Sequence, residues 1–293
     1  MEGSINDTAI SSTGQYQIIS VWNGSIIVSN DYGSTWTSKI SSKQFHGVAV
    51  SSSGQYMSAC VYGEYIYTSS DYGVTWSQTS SVIRNHMAIK MSSSGQYQTC
   101  VADQNFIVTS SDYGASWTEM TSIGSRSYYD VSMTSDGSIQ YAVALNNNLG
   151  ILKTTDKWAT CTTISTGFYQ YKTAAVEVSQ DGTYVTITQC TDAGVNDPVL
   201  LSSNGGTSWT TFDPNGATRL NFTLSNVGMT SNGQTQIVTY AGGLYISTNS
   251  GATWTNRTVL NLNPACVSFS SNGDYCLIAN NDKDLYRVYI SRL

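Results

Sequence analysis

One carboxylate recurs in a short pattern of this chain, S-x-D-x-G-x-x-W. The pattern is complete at three places: SNDYGSTW (29–36), SSDYGVTW (69–76) and SSDYGASW (110–117). A repeated aspartate could be a catalyst, a metal ligand or a turn-forming residue. In two weaker copies asparagine takes its place, at Asn204 and Asn249. Because an amide oxygen can accept the hydrogen bond of a turn but cannot act as a catalytic carboxylate, the pattern predicts structural turns, called S-x-D turns below.

Each position of an S-x-D turn has a physical role. The carboxylate accepts backbone N–H groups just ahead of it, the glycine permits a positive φ, and the tryptophan buries a large apolar surface. A further degenerate copy, TTDKWATC, spans 154–161. Structural roles are therefore predicted for Asp31, Gly33, Trp36, Asp71, Gly73, Trp76, Asp112, Gly114, Trp117, Asn204, Trp209, Asn249 and Trp254.

Basic residues form a second pattern that could do chemistry. Lys43, Arg84 and Arg126 each lie 11 residues before the glycine of another recurring turn. Cationic groups beside aromatic rings could hold a carboxylate, an acidic peptide or an anionic sugar. The candidate ligand site comprises Lys43, Arg84, Arg126, Lys172, Arg219, His46, His86, Tyr128 and Tyr171. Common ancestry of the repeats, with solvated loop tips, explains the same pattern without any ligand.

Catalysis needs further groups, which the sequence does not pair. A glycoside hydrolase requires two carboxylates at a defined separation, and the loops expected near the candidate site carry Glu64, Asp103, Asp192, Asp197 and Asp282. With only two histidines and no close cysteine spacing, we expect neither a metal site nor a cofactor. A non-catalytic binding or assembly module is the preferred interpretation, and a carbohydrate-cleaving enzyme is the alternative.

The other recurring turn, written SSSGQY at 51–56, sets the period of the chain. Its glycines, at spacings of 40 to 51 residues, are Gly14, Gly54, Gly95, Gly137, Gly182, Gly233 and Gly273. A period of about 40 residues predicts a propeller. Alternating apolar residues within each repeat fit four short antiparallel strands.

These observations predict an all-β fold, a seven-bladed β-propeller forming one domain over residues 1–293. The blades are expected to begin near residues 8, 46, 86, 128, 173, 224 and 264. The last repeat, 264–293, lacks a fourth strand. We expect residues 1–6 to supply that strand and so remove the open edge of the last blade.

The S-x-D-x-G-x-x-W pattern resembles the Asp-box, or bacterial neuraminidase repeat. Sialidases, sortilin-type receptors, oligoxyloglucan-type glycosidases and photosystem assembly factors share it. The resemblance implies a propeller in which these turns join the third and fourth strands, away from the functional face. It also raises a sialidase-like activity as the alternative. However, no FRIP-like stretch is present, and no motif ties Arg84, Arg126 and Arg219 to a sialidase arginine triad.

Composition limits the partners. The net charge of −6 argues against nucleic acid, and no apolar run approaches the length of a membrane span. The N-terminus does not resemble a signal peptide, although the Ser/Thr/Asn/Gly-rich composition favours an extracellular or particle surface. The expected partner is a protein or a glycan, including an anionic one. The six cysteines are interpreted as mostly buried small hydrophobic residues.

Overall fold

The computed structural model describes residues 3–145, 150–164, 175–188, 199–213, 226–240, 243–257, 264–271, 273–280 and 285–289. Within these ranges the regular structure consists of 27 β-strands and one short 3-10 turn, Thr121–Ile123. Strands follow one another as antiparallel neighbours, because short turns rich in glycine, serine and aspartate separate the apolar runs.

The first half of the chain forms two sheets. The first contains β1 (Ile5–Ile10), β2 (Gln17–Val21), β3 (Ile26–Ser29) and β4 (Thr37–Ser38). The second contains β5 (Phe45–Val50), β6 (Met57–Glu64), β7 (Ile66–Ser69), β8 (Ser77–Gln78), β9 (Arg84–Met91), β10 (Gln98–Ala102), β11 (Val108–Ser110) and β12 (Thr118–Glu119).

The second half forms four sheets. One contains β13 (Ser127–Met133), β14 (Gln140–Leu145), β15 (Ile151–Thr154) and β16 (Thr162–Ile164), and the next β17 (Ala175–Val178), β18 (Val185–Thr188), β19 (Val199–Ser202) and β20 (Thr210–Phe212). The last two contain β21 (Val227–Met229), β22 (Gln236–Tyr240), β23 (Gly243–Ser247) and β24 (Thr255–Arg257), then β25 (Pro264–Phe269), β26 (Tyr275–Asn280) and β27 (Leu285–Tyr289).

The eight-stranded sheet differs from the separate four-stranded sheets that the sequence predicted. Its halves, β5–β8 and β9–β12, each repeat the order of the other four-stranded sheets. They join because β6 extends to Glu64 and pairs with β9 at Tyr62↔Asn85 and Glu64↔Arg84. The described residues therefore form six sheets where the sequence predicted seven, and the number of blades stays a prediction.

The expected pairing of residues 1–6 with the last sheet is wrong for the part of that segment that the structure describes. Ile5 pairs with Val21 of β2, and the Ser4 carbonyl accepts the Trp22 N–H at 2.8 Å. The inner-strand pattern begins earlier than the predicted residue 8, so this segment extends β1. In the described part, the last sheet has three strands.

The strands follow the chain in sets of four consecutive strands, of which the structure describes three in the last set. The first strand of each set lines a common axis and is called an inner strand below. One polar cavity of about 150 Å3 is bordered by residues of β1, β5, β9, β13, β17, β21 and β25, namely Ile10, Val50, Lys90, Met133, Glu177, Met229 and Phe269. The first and last sheets meet here, since the Thr8 hydroxyl on β1 lies 2.9 Å from the Ser268 hydroxyl on β25. This closed arrangement around an axis is that of a propeller.

Tyrosines of the glycine turns fix neighbouring sheets to one another. Gly54 adopts φ +83°, and a Cβ placed on it would lie 2.1 Å from the Tyr16 ring of the preceding sheet. Gly14 stands in the same relation to Tyr275 of the last sheet, at 2.6 Å. Glycine is therefore required twice over at these turns, for its conformation and for the ring that covers it.

Candidate functional site

The side chains of the S-x-D turns form hydrogen bonds within each turn, and Asp31 shows their arrangement. Its Oδ1 accepts the Thr35 N–H at 2.8 Å and the Ser29 hydroxyl at 2.8 Å, while its Oδ2 accepts the Thr35 hydroxyl at 2.6 Å. The hydrogen bond from the Thr35 side chain is the main reason that the pKa of Asp31 falls to about 2. Trp36 closes the turn by donating its indole N–H to the Gly33 carbonyl.

In the other S-x-D turns, the side chain at the position of Asp31 accepts the corresponding backbone N–H. Asp71 and Asp112 accept the same set of bonds. Asn204 and Asn249 keep the backbone bond through the amide oxygen and donate from Nδ2 to a hydroxyl. The predicted substitution of amide for carboxylate is thus explained by the contacts. Asp156 makes the turn too.

The S-x-D turns and the glycine turns lie on one face. The N–H groups of Tyr32, Tyr72 and Tyr113 donate to carbonyls of the adjacent glycine turns at 3.0–3.1 Å. The face at the other end of the strands, called the opposite face below, carries the turns between second and third strands and the connections between strand sets. The candidate ligand residues belong to those connections.

The structure brings the three described cations of the candidate site to equivalent backbone positions. Lys43, Arg84 and Arg126 each pair with a residue of the preceding second-to-third-strand turn: Gly24, Glu64 and Asn105 respectively. Lys172, Arg219 and Tyr171 lie outside the described residues.

The side chains of these cations are engaged within the protein. Lys43 Nζ contacts Glu64 Oε2 at 2.5 Å, and Arg84 binds Glu119 Oε1 with two nitrogens, at 2.7 and 3.0 Å. Arg126 has a buried Nη1 without a hydrogen-bond partner. Two of the three positive charges are therefore already neutralised, which weakens the attraction for an anionic ligand.

His86 and Tyr128 pack inside the protein. His86 is fully buried, with Nε2 3.2 Å from the Val82 carbonyl and Nδ1 3.4 Å from Cys100 Sγ. Since a carbonyl only accepts, Nε2 carries the proton. Burial lowers the pKa of His86 to about 4. Tyr128 is buried and donates to the Gly124 carbonyl, and burial raises its pKa to about 12. Neither ring is placed to contact an external ligand.

His46 belongs to an aromatic cluster on the opposite face. Trp22 packs edge-on against His46 at 5.7 Å and against Tyr62 at 6.0 Å between ring centroids. Desolvation lowers the pKa of His46, so the imidazole is neutral at pH 7. Sequence reasoning named His46 but missed Trp22 and Tyr62. Their positions in the WNGS and YGEY turns of neighbouring repeats were the available signal.

The axis carries a charge cluster that the sequence did not reveal. Lys90 Nζ lies 3.6 Å from Glu177 Oε2. The exposed fraction of the side chain is 32% for Lys90 and 24% for Glu177. Asp7 and Asp130 face the same cation. Enclosure in the protein raises the pKa of all three carboxyls, that of Asp130 to about 7.

Inner-strand side chains also bridge sheets through backbone N–H groups. Asp7 Oδ2 accepts the Val48 N–H at 3.0 Å, and Asp130 Oδ2 accepts the Val176 N–H at 2.9 Å. Asn226 makes the corresponding bond to Val267 at 3.2 Å. These hydrogen bonds link neighbouring sheets, which accounts for half-buried carboxylates at the axis.

In the described part of the chain, no group of three or more His, Cys, Asp or Glu residues could hold a metal ion. The described cysteines are free, with Cys60, Cys100, Cys266 and Cys276 buried and Cys161 partly buried. No helix within those ranges is long and apolar enough to cross a membrane.

Neither a protein-family model nor a curated protein matches this chain, but solved structures do. YCF48 bound to D1 peptide has a TM-score of 0.72 at 15% identity, over 98% of this chain and 93% of that one. The GH74 xyloglucanase from Xanthomonas campestris reaches 0.79 at 10% identity, over 97% of this chain and 52% of that one.

The β-propeller domain of Myceliophteria thermophila Cps50 (Swd1) has a TM-score of 0.72 at 8% identity, covering 99% of this chain and 96% of that one. At such low identities the likeness concerns the fold alone. Together with the strand order and the common axis, it establishes that the chain is an all-β β-propeller built from four-stranded antiparallel units.

Proposed function

We propose that this propeller is a non-catalytic binding or assembly module that takes a protein partner on the opposite face. The observation that carries the proposal is the cluster of Trp22, His46 and Tyr62, half-buried rings held together between two neighbouring strand sets. Aromatic side chains supply much of the binding energy at protein interfaces. The paired charges around them, such as Lys43 with Glu64, form the kind of polar rim that surrounds such a patch.

The similarity to YCF48 bound to D1 peptide and to a Swd1 propeller domain supports this choice by analogy of fold. We further propose that the chain is a seven-bladed propeller of the Asp-box type. Seven glycine turns and the repeated bonding of the S-x-D turns support that assignment.

A glycoside hydrolase is the second candidate, since a GH74 xyloglucanase shares the fold. Such an enzyme needs a carboxylic acid and a carboxylate separated by a cleft. Glu64 is held by Lys43, and Asp192, Asp197 and Asp282 lie outside the described residues. Sugar binding without cleavage, through the same aromatic rings, would also place the site on the opposite face.

The proposal is tested by panning a random 12-residue peptide library against the protein. A glycan array and a xyloglucan cleavage assay are run on the same protein. Peptides enriched on the wild type should lose binding at least tenfold on Trp22→Ala. They should keep it on Tyr72→Ala, which removes an exposed ring from the other face. Glycan binding without peptide enrichment, or release of reducing sugar from xyloglucan, would each overturn the protein-binding proposal.

A further inference from the structure

On the S-x-D face, tyrosine pairs close the interfaces between neighbouring strand sets. Tyr16 and Tyr72 have ring centroids 4.9 Å apart, and Tyr56 and Tyr113 have ring centroids 4.5 Å apart. In each pair, the first tyrosine lies two residues after a turn glycine, and the second follows the aspartate of the next S-x-D turn. The second ring therefore covers the first at both interfaces.

The following interface keeps this arrangement with a cation in place of the second ring. Lys157 follows Asp156 of the next turn, and its Nζ lies 3.7 Å from the ring centroid of Tyr97. An ammonium group over an aromatic face is a favourable contact. At these three interfaces, the residue after the aspartate thus packs on the tyrosine of the preceding strand set.

The interface between β17–β20 and β21–β24 departs from this rule. Tyr184 lies two residues after a turn glycine, but Ser250 occupies the position of the covering residue. The backbone of the turn is unchanged, since φ is 57° at Ser250 and 62° at Tyr72. The N–H of each donates to the carbonyl that follows a turn glycine, at 2.9 and 3.0 Å. In the described part of the chain, no aromatic ring or cation packs on Tyr184.

A cleft of about 320 Å3 lies at this interface, a volume at the lower end of the range for small-molecule sites. Tyr184 and Leu201 border it from one strand set, and Ser250 and Gly251 border it from the next. The Tyr184 ring is held in place, because a Cβ added to Gly233 would come within 2.6 Å of it. The cleft therefore has a fixed aromatic wall where the equivalent interfaces have a covering side chain.

The polar groups around the cleft are neutral. Among the described residues that border it, none is charged, and three serines bring hydroxyl groups, Ser203, Ser208 and Ser250. The hydroxyls of Ser203 and Ser250 make no hydrogen bond to another described residue. Ser208 Oγ accepts one from Asn204 at 2.8 Å, which leaves its O–H to donate. A hydroxyl both donates and accepts, so these groups match the hydroxyls of a sugar.

An aromatic wall beside neutral hydroxyls suits a sugar, because the ring packs on the C–H groups of a pyranose while the hydroxyls bond to its oxygen atoms. A charged ligand would lack a counter-ion among the residues that border the cleft. We propose that this cleft binds one unit of a neutral pyranose sugar, packed on Tyr184 and hydrogen-bonded by Ser203, Ser208 and Ser250. The site shares no residue with the aromatic cluster on the opposite face, so this proposal and the protein-binding proposal can fail separately.

The probes are the methyl glycosides of glucose, galactose, mannose and N-acetylglucosamine, with the methyl glycoside of N-acetylneuraminic acid as the anionic comparison. Saturation-transfer difference NMR with the full chain should show saturable, millimolar binding of at least one neutral glycoside. Adding that glycoside should shift the amide NMR signals of Ser203, Ser250 and Gly251. The anionic glycoside should bind at least tenfold more weakly, because no cation borders the cleft in the described part of the chain.

Ser250→Tyr restores the covering ring and should weaken binding of the same glycoside at least tenfold. Three S-x-D turns already hold a tyrosine at this position with positive φ, so the variant should fold. The matched control is Thr248→Tyr, which adds a ring to the same turn at a residue that does not border the cleft. This control should bind the glycoside as the wild type does.

Three results would each overturn the proposal: no binding of any neutral glycoside, binding that Ser250→Tyr leaves unchanged, or preference for the anionic glycoside. Binding that Trp22→Ala abolishes would place the sugar on the opposite face and would overturn the proposal as well.

Discussion

Gly54→Ala tests whether the glycine turns interlock neighbouring sheets. An alanine at this residue would be held at φ +83°, with its Cβ 2.1 Å from Tyr16 Cδ2. Ordinary contact needs at least 3.4 Å, so the ring must retreat by more than 1 Å. Retreat is opposed because Tyr16 already packs on Tyr72, with ring centroids 4.9 Å apart.

Two costs add at Gly54. The left-handed backbone costs about 1–2 kcal/mol for a residue with a Cβ, and overpacking costs about 1–3 kcal/mol. We therefore expect the free energy of unfolding to fall by about 2–5 kcal/mol. The control, Gly63→Ala, has φ +71° and no neighbour closer than 4.0 Å, so only the backbone cost of about 1–2 kcal/mol applies.

Urea denaturation at pH 7, followed by tryptophan fluorescence, measures both variants. The double variant Tyr16→Ala/Gly54→Ala should show a favourable coupling energy, because removing the ring relieves the clash. If Gly54→Ala lost no more stability than Gly63→Ala, the Tyr16 ring could move away from residue 54 without a measurable cost. The interlocking role of the glycine turns would then be wrong.

Three further outcomes are expected. Asp71→Asn should lower the free energy of unfolding, measured by urea denaturation, by less than about 1 kcal/mol, because the amide oxygen keeps the acceptor of the turn. Asp71→Ala removes that acceptor and should lower it by about 1–2 kcal/mol. Equal losses in the two variants would contradict this explanation. Because folding lowers the pKa of Asp31 to about 2, its contribution to stability is present above the unfolded pKa of about 4 and is lost as pH falls toward 2. The melting temperature of the Asp31→Asn variant should therefore depend less on pH than that of the wild type between pH 5 and 2. Folding instead raises the pKa of Asp130 to about 7, so its contribution is lost as pH rises through 7. Asp130→Asn should still accept the Val176 N–H, just as Asn226 accepts the Val267 N–H. This variant should therefore lose less stability than the wild type between pH 5 and 8. An unchanged dependence of stability on pH would refute the raised pKa of Asp130.

The sequence predicted local turns well because their causes are local. The carboxylate, glycine and tryptophan of an S-x-D turn lie within six residues, so Asp31, Gly33 and Trp36 could be assigned from spacing alone. Trp158 shows the limit of that reasoning. It stands at the glycine position of a degenerate turn with φ 73° and donates its indole N–H to Gln140 at 2.6 Å, an arrangement that depends on the neighbouring strand.

Contacts between repeats could not be predicted in the same way. Arg84 looked like a member of an open cationic ring, but Glu119, 35 residues later, neutralises it. The eight-stranded sheet depends on β6 running three residues further than β2 and β10. The pairing of Ser4 with Trp22 depends on where β1 begins. Such features follow from the way that sheets meet, which spacing within one repeat does not encode.

The interface between the first and last sheets shows the same limit. At two equivalent interfaces a hydroxyl of the preceding sheet donates to a buried glutamine, Ser58 to Gln98 at 2.6 Å and Thr99 to Gln140 at 2.7 Å. Each donor lies four residues after its turn glycine, and in the last repeat that position is Leu277. Among the described residues, the buried Oε1 of Gln17 therefore has no donor. An unsatisfied buried acceptor costs about 1–3 kcal/mol. The spacing of the repeat gives the position of Leu277, but only the contacts of Ser58 and Thr99 show which side chain that residue fails to satisfy.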